Sequence, residues 1–369
     1  MQLENQKVDV QKIPVQKREL DIRIMPSGSK YDVLSRQENL LGDCASPPSP
    51  DRDYVSASFS ELLEQDTRDG LLIFDPSYYC NIECTFCSLP IHEKFRINWD
   101  RIRKHIPLLV LSGMRRAVIT GGEPGILPNL TDIISDLRGW GCGFVMLFSH
   151  GLWANNEKRL KQVIDAGMSG ITISIKAFDD EVAESITRKK LVFSRQLTAI
   201  RKIGEYKKSG HLDLLAINHV ITRETLDGLR RLDWIDFVPA GALLDLCVVE
   251  PYLDETVDEV PAINDLLEVL RNVFAACDER GINYKINGVP NCLLSEANEH
   301  NGDRAFMFDD RLRVFIKPNK DKDYMLAHYG YQRLMQYGYR NECKGCTERL
   351  SCPGVHKKYD DSWPIKAIG

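Results

Sequence analysis

The sequence predicts an α/β fold: a partial, open (β/α)6 TIM-like barrel with a small N-terminal extension and a C-terminal subdomain rich in cysteine. Two observations carry that prediction. Between about residues 70 and 280, short apolar runs alternate with longer segments of helical period, as in repeated βα units. The chain also has 369 residues, 43% of them hydrophobic, enough to bury one large core and a smaller annex. Three parts follow: an extension over 1–69, the partial barrel over 70–280, and the cysteine-bearing subdomain over 281–369.

Within the extension, the alternation of Leu20, Ile22 and Ile24 with polar residues reads as a strand, so a small sheet is expected there. The Pro- and Ser-rich stretch 42–51 reads as a linker, and its Cys44 as an ordinary thiol. The barrel strands are expected at 70–74, 116–120, 143–148, 170–176, 212–220 and 243–249. Helices are expected between and after them at 99–111, 130–140, 157–166, 194–208, 224–232 and 262–280. A strand-like run at 284–286 opens the last part.

The first expected strand runs into Tyr78-Tyr79-Cys80-Asn81-Ile82-Glu83-Cys84-Thr85-Phe86-Cys87. With 11 cysteines in the chain, this spacing arises by chance with a probability of about 0.01. Thiolates so spaced on one short loop reach three corners of a cubane iron–sulfur cluster, which normally takes four cysteines, and one iron is left open. After the second expected strand comes Gly121-Gly122-Glu123-Pro124, where two glycines permit close approach of backbone to a ligand and the proline fixes the exit.

Together these two motifs, with Phe86 before the third cysteine, resemble the radical S-adenosylmethionine (SAM) superfamily. The resemblance implies a [4Fe-4S] cluster held by Cys80, Cys84 and Cys87, with the amino and carboxylate groups of SAM on the open iron. It also implies reductive cleavage of SAM to a 5′-deoxyadenosyl radical that abstracts a substrate hydrogen. By position, the backbone of Gly121, Gly122 and Glu123, with Pro124 closing the turn, receives the SAM amino group. Active sites of such barrels lie at the carboxyl ends of the strands. That rule adds Ser149 in the Ser149-His150-Gly151 turn, Ser174 and Lys176 on one face of strand four, and Asn218 and Arg223 on and after strand five. Many members of the superfamily carry an acidic residue near the position of Lys176, and a solvated lysine is the alternative there.

The tail adds Cys343-Lys344-Gly345-Cys346 and Cys352, with Cys292 upstream. Four cysteines suffice for one auxiliary iron–sulfur cluster, expected as [4Fe-4S]. The pattern resembles the twitch and SPASM extensions of the same superfamily, although it lacks a fourth cysteine soon after Cys352. A structural zinc site is the alternative. If Cys292 is a ligand the cluster relays electrons, and without it an open iron would face the substrate. Cys142, Cys247 and Cys277 read as buried small hydrophobes.

No apolar run approaches the roughly 18 residues of a membrane span. The polar stretch 1–17 is no signal peptide, which predicts a cytoplasmic location. A formal charge of −5 gives no electrostatic footprint for nucleic acid. The leading functional expectation is a maturase that crosslinks or oxidises a ribosomally made precursor peptide, served by a flavodoxin- or ferredoxin-type electron donor. The alternative is a dehydrogenase, epimerase or cyclase of a small molecule in nucleoside, aminosugar or cofactor biosynthesis, with Lys317 and Lys320 available to a phosphate. A non-catalytic electron-transfer protein is the third class.

Overall fold

A computed structural model describes residues 70–91, 95–251, 254–297, 313–319, 323–328, 337–347, 352, 354–359 and 363–368. The expected features of the extension, Cys44 among them, lie outside the described residues, as does Lys320. One sheet organises the rest. Its strands are β1 (Leu71–Phe74), β2 (Arg116–Ile119), β3 (Phe144–Ser149), β4 (Gly170–Ile175), β5 (Leu214–Ile221), β6 (Leu243–Val248), β7 (Asn283–Asn287), β8 (Arg313–Asn319) and β9 (Asp323–His328). Their spatial order is β7-β6-β5-β4-β3-β2-β1-β8-β9. All neighbours are parallel except β8 and β9, and the sheet does not close. This is the expected mostly parallel, partial-barrel architecture, extended beyond six strands. The additional strands β7 and β8 come from residues after 280 and join opposite sides of the barrel strands, β7 on β6 and β8 on β1. A separate two-stranded ribbon pairs β10 (Tyr337–Gly338) with β11 (Val355–His356).

The helices are α1 (Trp99–Ile102), α2 (Ile106–Ser112), α3 (Leu130–Gly139), α4 (Glu157–Asp165), α5 (Asp180–Thr187), α6 (Val192–Lys208), α7 (Leu226–Arg230), α8 (Ile263–Glu279) and α9 (Asn291–Ala297). The expected helix over 99–111 is broken in two. Pro107 cannot donate to the carbonyl of Arg103, and its ring crowds that carbonyl, so α2 restarts with the proline in its first turn. Helix α5 is an element the sequence did not announce; it begins on Asp179, whose carboxylate accepts from Val182 N at 2.8 Å.

Strand alternation gives the sheet two unlike faces. One carries Leu72, Ile119, Leu147, Ile173, Ile217, Leu246 and Ile286, all buried against the helices. His219 also lies on this face, where burial pushes its pKa down to about 3. The opposite, open face holds the half-buried Ile73, Met146, Phe148, Ser174, Leu243 and Lys285. Cys142 and Cys277 are buried, as expected, whereas Cys247 is half-buried on the open face.

Truncating a residue on the helix-covered face removes transfer energy and leaves a cavity. Leu246→Ala is expected to lower unfolding stability by about 2–5 kcal/mol in a denaturant titration, with an unchanged slope.

Candidate functional site

The cysteine loop begins where β1 ends, and the turn after β2 is seated directly on its backbone. Gly122 N donates to Ser77 O at 2.8 Å and Glu123 N to Tyr79 O at 2.9 Å. A Cβ on Gly122 would fall 2.2 Å from Tyr79 O, and one on Gly121, at φ +97°, 2.6 Å from Ser77 O. The glycine pair is therefore required for packing of one loop on another, in addition to any approach of a ligand. Gly125 is similarly confined by the Trp153 ring.

Glu123 turns its side chain inward and is 2% exposed. Gly125 N and Ser149 Oγ donate to its Oε1 at 2.7 and 2.8 Å, and His150 N donates to Oε2 at 2.9 Å. Three hydrogen bonds compensate the burial of this carboxyl group. The Ser149 hydroxyl is fully engaged here: it also accepts from Gly151 N and Trp153 Nε1, both at 2.8 Å. Pro124 is buried in the short 3-10 turn Pro124–Ile126.

Among the three thiols, burial pushes Cys80 up to about 11 and raises Cys84, while the nearby Lys176 ammonium pulls both back down. Lys176 lies over the Phe86 ring, 5.8 Å from its centroid. A half-enclosed trio of thiols beside a cation suits a metal cluster, since coordination deprotonates a thiol outright and supplies the charge that burial opposes.

From Lys176 a polar row crosses the open face. Lys176 Nζ donates to Ser174 Oγ at 2.8 Å, and Ser174 Oγ to Asn218 Oδ1 at 3.4 Å. Asn218 Nδ2 donates to Asp245 O at 3.1 Å, and Lys285 Nζ pairs with Asp245 Oδ2 at 3.0 Å. Ser174, Asn218, Asp245 and Lys285 occupy one register line on β4 to β7. Asn287 Nδ2 donates to Asp245 Oδ1 at 2.9 Å. Burial raises the Asp245 pKa, against the pull of Lys285 and Asn287. Three of the five expected polar residues thus meet: Ser174, Lys176 and Asn218. Ser149 belongs to the Glu123 network, and the exposed Arg223 stands apart, its guanidinium 3.5 Å from Val260 O. Asp245, Lys285 and Asn287 escaped the sequence reading. Their signal was a lone aspartate in an apolar strand and polar residues two apart in the next.

At the ends of β6 and β7, Cys292, Cys343, Cys346 and Cys352 line one hollow together with Pro290 and Tyr339. Backbone groups bond several of the sulfurs: Asn291 N and Gly354 N donate to Cys352 Sγ at 3.5 and 3.4 Å, Ile368 N donates to Cys346 Sγ at 3.4 Å, and the Lys366 backbone bonds Cys292. Burial holds Cys352 at about 11. N–H donors on sulfur are what an iron–sulfur thiolate collects, so the four residues fit such a group. Among the described residues, no three or more His, Cys, Asp or Glu side chains converge on the position of a single metal ion. Tyr359 Oη donates to Val249 O at 3.1 Å and Tyr337 Oη to Glu250 Oε1 at 2.6 Å, which fastens this part to the end of β6.

The Radical SAM superfamily model matches residues 75–232, from the end of β1 to beyond α7. This part of the chain is a radical SAM superfamily domain. The chain is similar in sequence to molybdenum cofactor biosynthesis protein 1 of Bos taurus, 28% identical over 61% of this chain and 34% of that protein. It is also similar to a probable GTP 3′,8-cyclase of Sulfolobus acidocaldarius, 27% identical over 47% of this chain and 53% of that protein. The chain thus spans about a third and about half of the lengths of these curated relatives. Two solved structures share the fold. Streptococcus suis SuiB bound to S-adenosylmethionine gives a TM-score of 0.56 at 15% identity, covering 89% of this chain and 83% of that one. Native anSMEcpe with bound AdoMet and Kp18Cys peptide gives 0.54 at 15% identity, covering 80% and 92%.

Asp75, at the end of β1 beside Gly121, is buried, and burial lifts its pKa to about 6 against the attraction of Lys317. The folded chain therefore binds a proton there that the unfolded chain has lost, and stability falls as pH rises from about 4 to 6. Asp75→Asn is expected to gain about 3 kcal/mol at pH 7 relative to the parent, with the gain vanishing near pH 4, in unfolding titrations run at several pH values.

Proposed function

We propose that this protein is a radical SAM enzyme that removes a hydrogen from a small polar substrate held on the open face of β4 to β7. Cys80, Cys84 and Cys87 would hold the [4Fe-4S] cluster with one open iron, and the backbone of Gly121 to Glu123 would receive the amino group of SAM. When bound, the cluster and SAM would supply the electron and the radical chemistry by which a substrate hydrogen is removed. Everything else falls to side chains of the chain itself. Lys176, Ser174 and Asn218 would orient SAM, with the Lys176 ammonium offsetting the thiolate charge. Asp245, Lys285 and Asn287, farther along the same row, would hold the substrate by paired donors and acceptors.

The observation that carries this reading is the position of the polar row. It starts at the three-cysteine loop and ends on β7, whose next turn and helix bring Cys292 to the second group of thiols. A molecule lying on it would sit between two iron–sulfur clusters. Cys292, Cys343, Cys346 and Cys352 would hold the auxiliary one, a [4Fe-4S] cluster without an open iron, suited to take up the electron left on the substrate. Names of the sequence relatives, cofactor biosynthesis and GTP cyclisation, support a small molecule over the precursor peptide expected from the tail cysteines. A flavodoxin- or ferredoxin-type donor would supply the first electron. Among the described residues no helix is long and apolar enough to cross a membrane.

Anaerobic reconstitution tests the assignment. The parent is expected to hold about eight irons and to release 5′-deoxyadenosine from SAM under dithionite; Cys80→Ala/Cys84→Ala/Cys87→Ala should keep about four and release none. Zinc in the tail in place of iron would remove the proposed electron relay. Once a substrate is found by screening nucleoside triphosphates and short peptides for stimulated 5′-deoxyadenosine release, Asp245→Asn is expected to raise its KM by about tenfold or more, roughly one lost charged hydrogen bond, with SAM affinity unchanged.

A further inference from the structure

Asn81 sits between the first two cysteines of the loop, and both of its oxygens are gripped. His150 Nε2 lies 2.7 Å from Asn81 Oδ1, and Lys189 Nζ donates to Asn81 O at 3.1 Å. The histidine is fixed in one tautomer by its partners. Leu152 N donates to Nδ1 at 3.1 Å, so Nδ1 carries no proton and the proton on Nε2 faces Asn81 Oδ1, with Glu123 Oε2 also 3.2 Å away. Burial keeps the ring neutral. That ring therefore joins the Glu123 turn to the cysteine loop.

Lys189 comes from a different element, the connection between α5 and α6. Two of the residues in this connection, Arg188 at φ 59° and Leu191 at φ 56°, are non-glycine residues in the left-handed region, a conformation that persists only where surrounding structure imposes it. The end of α5 that leads into this connection is tied to the cysteine loop. Glu83 N donates to Thr187 O and Thr85 N to Ile186 O, both at 3.0 Å, and Thr187 Oγ1 donates to Lys189 O at 3.3 Å.

We infer that His150 and Lys189 are positioning residues that clamp Asn81 by its two oxygens, so that Cys80 and Cys84 are aimed before any cluster is bound. Its effect on electron transfer rests on the reading of the three cysteines as cluster ligands; the clamp itself does not. Lys189 places a positive charge on the Asn81 carbonyl, one residue from Cys80, which favours the reduced cluster, while His150 adds none.

The test separates the two layers. In the full chain without metal, alkylation of Cys80, Cys84 and Cys87 and hydrogen exchange of the loop are measured for the parent, His150→Ala, His150→Gln, Lys189→Met and the exposed control Lys190→Met. His150→Ala and Lys189→Met are expected to speed loop alkylation by about tenfold and leave Cys343 and Cys346 unaffected, with His150→Gln and Lys190→Met close to the parent. In the reconstituted protein, Lys189→Met should shift the SAM-responsive electron paramagnetic resonance signal to a lower midpoint potential, and His150→Ala should not. Unchanged loop reactivity in both variants, or an equal rise at every thiol, overturns the clamp. Loosened loops in a protein that binds no iron at Cys80, Cys84 and Cys87 would support the clamp and overturn the ligand assignment.

Discussion

A buried carboxyl group needs hydrogen-bond partners for its oxygens, and Glu123 receives donors from the turn after β2, the end of β3 and the residue that follows it. This one buried group decides where two strand ends stop. Because the Gly121–Gly122 turn rests on the carbonyls of Ser77 and Tyr79, the constraint passes to the cysteine loop as well. Three loops that are far apart in sequence therefore share one rigid junction, on which the thiols, the glycine turn and Lys176 keep their relative positions. The arrangement meets the requirement that reactive groups be held by neighbours whose own geometry is locked.

The sheet divides labour between its faces. Aliphatic side chains under the helices supply cohesion, and their alternates on the open face are free to be polar because they have no core to fill. A row of serine, asparagine, aspartate and lysine in one register line costs little when each member satisfies the next. Replacing the Asp245 side chain takes the carboxylate from Lys285 and Asn287 but leaves the Asn218 bond to the Asp245 carbonyl, so the two halves of the row respond separately.

Much of this was legible in the sequence, for identifiable reasons. Six strands and most helices announced themselves by periodicity, and the three cysteines and Gly-Gly-Glu-Pro turn by spacing that few other structures need. The division of helix 99–111 turned on Pro107, a local signal that was present but outweighed by the hydrophobic pattern. The reason for the glycine pair was only half visible, because contact with Ser77 and Tyr79 is a tertiary fact. Asp245, Lys285 and Asn287 were hidden for another reason: a polar residue on a strand gains meaning only when the strands beside it are known. Ser149 shows the reverse, a hydroxyl at the predicted strand end whose bonding is spent inside the fold.

The pairing of β1 with β8 joins Leu71–Phe74 to a strand more than two hundred residues later. As the chain leaves the ribosome, β1 has one parallel neighbour, β2, and its other flank presents unpaired backbone groups until β8 emerges. The segment carrying Cys80, Cys84 and Cys87 thus adjoins an open sheet edge until β8 emerges. Closing that edge late delays completion of the surroundings of the cysteine loop until nearly the whole barrel has been made. Assembly of the metal centre would then follow the order of translation, with a nascent chain unable to finish its own binding pocket early.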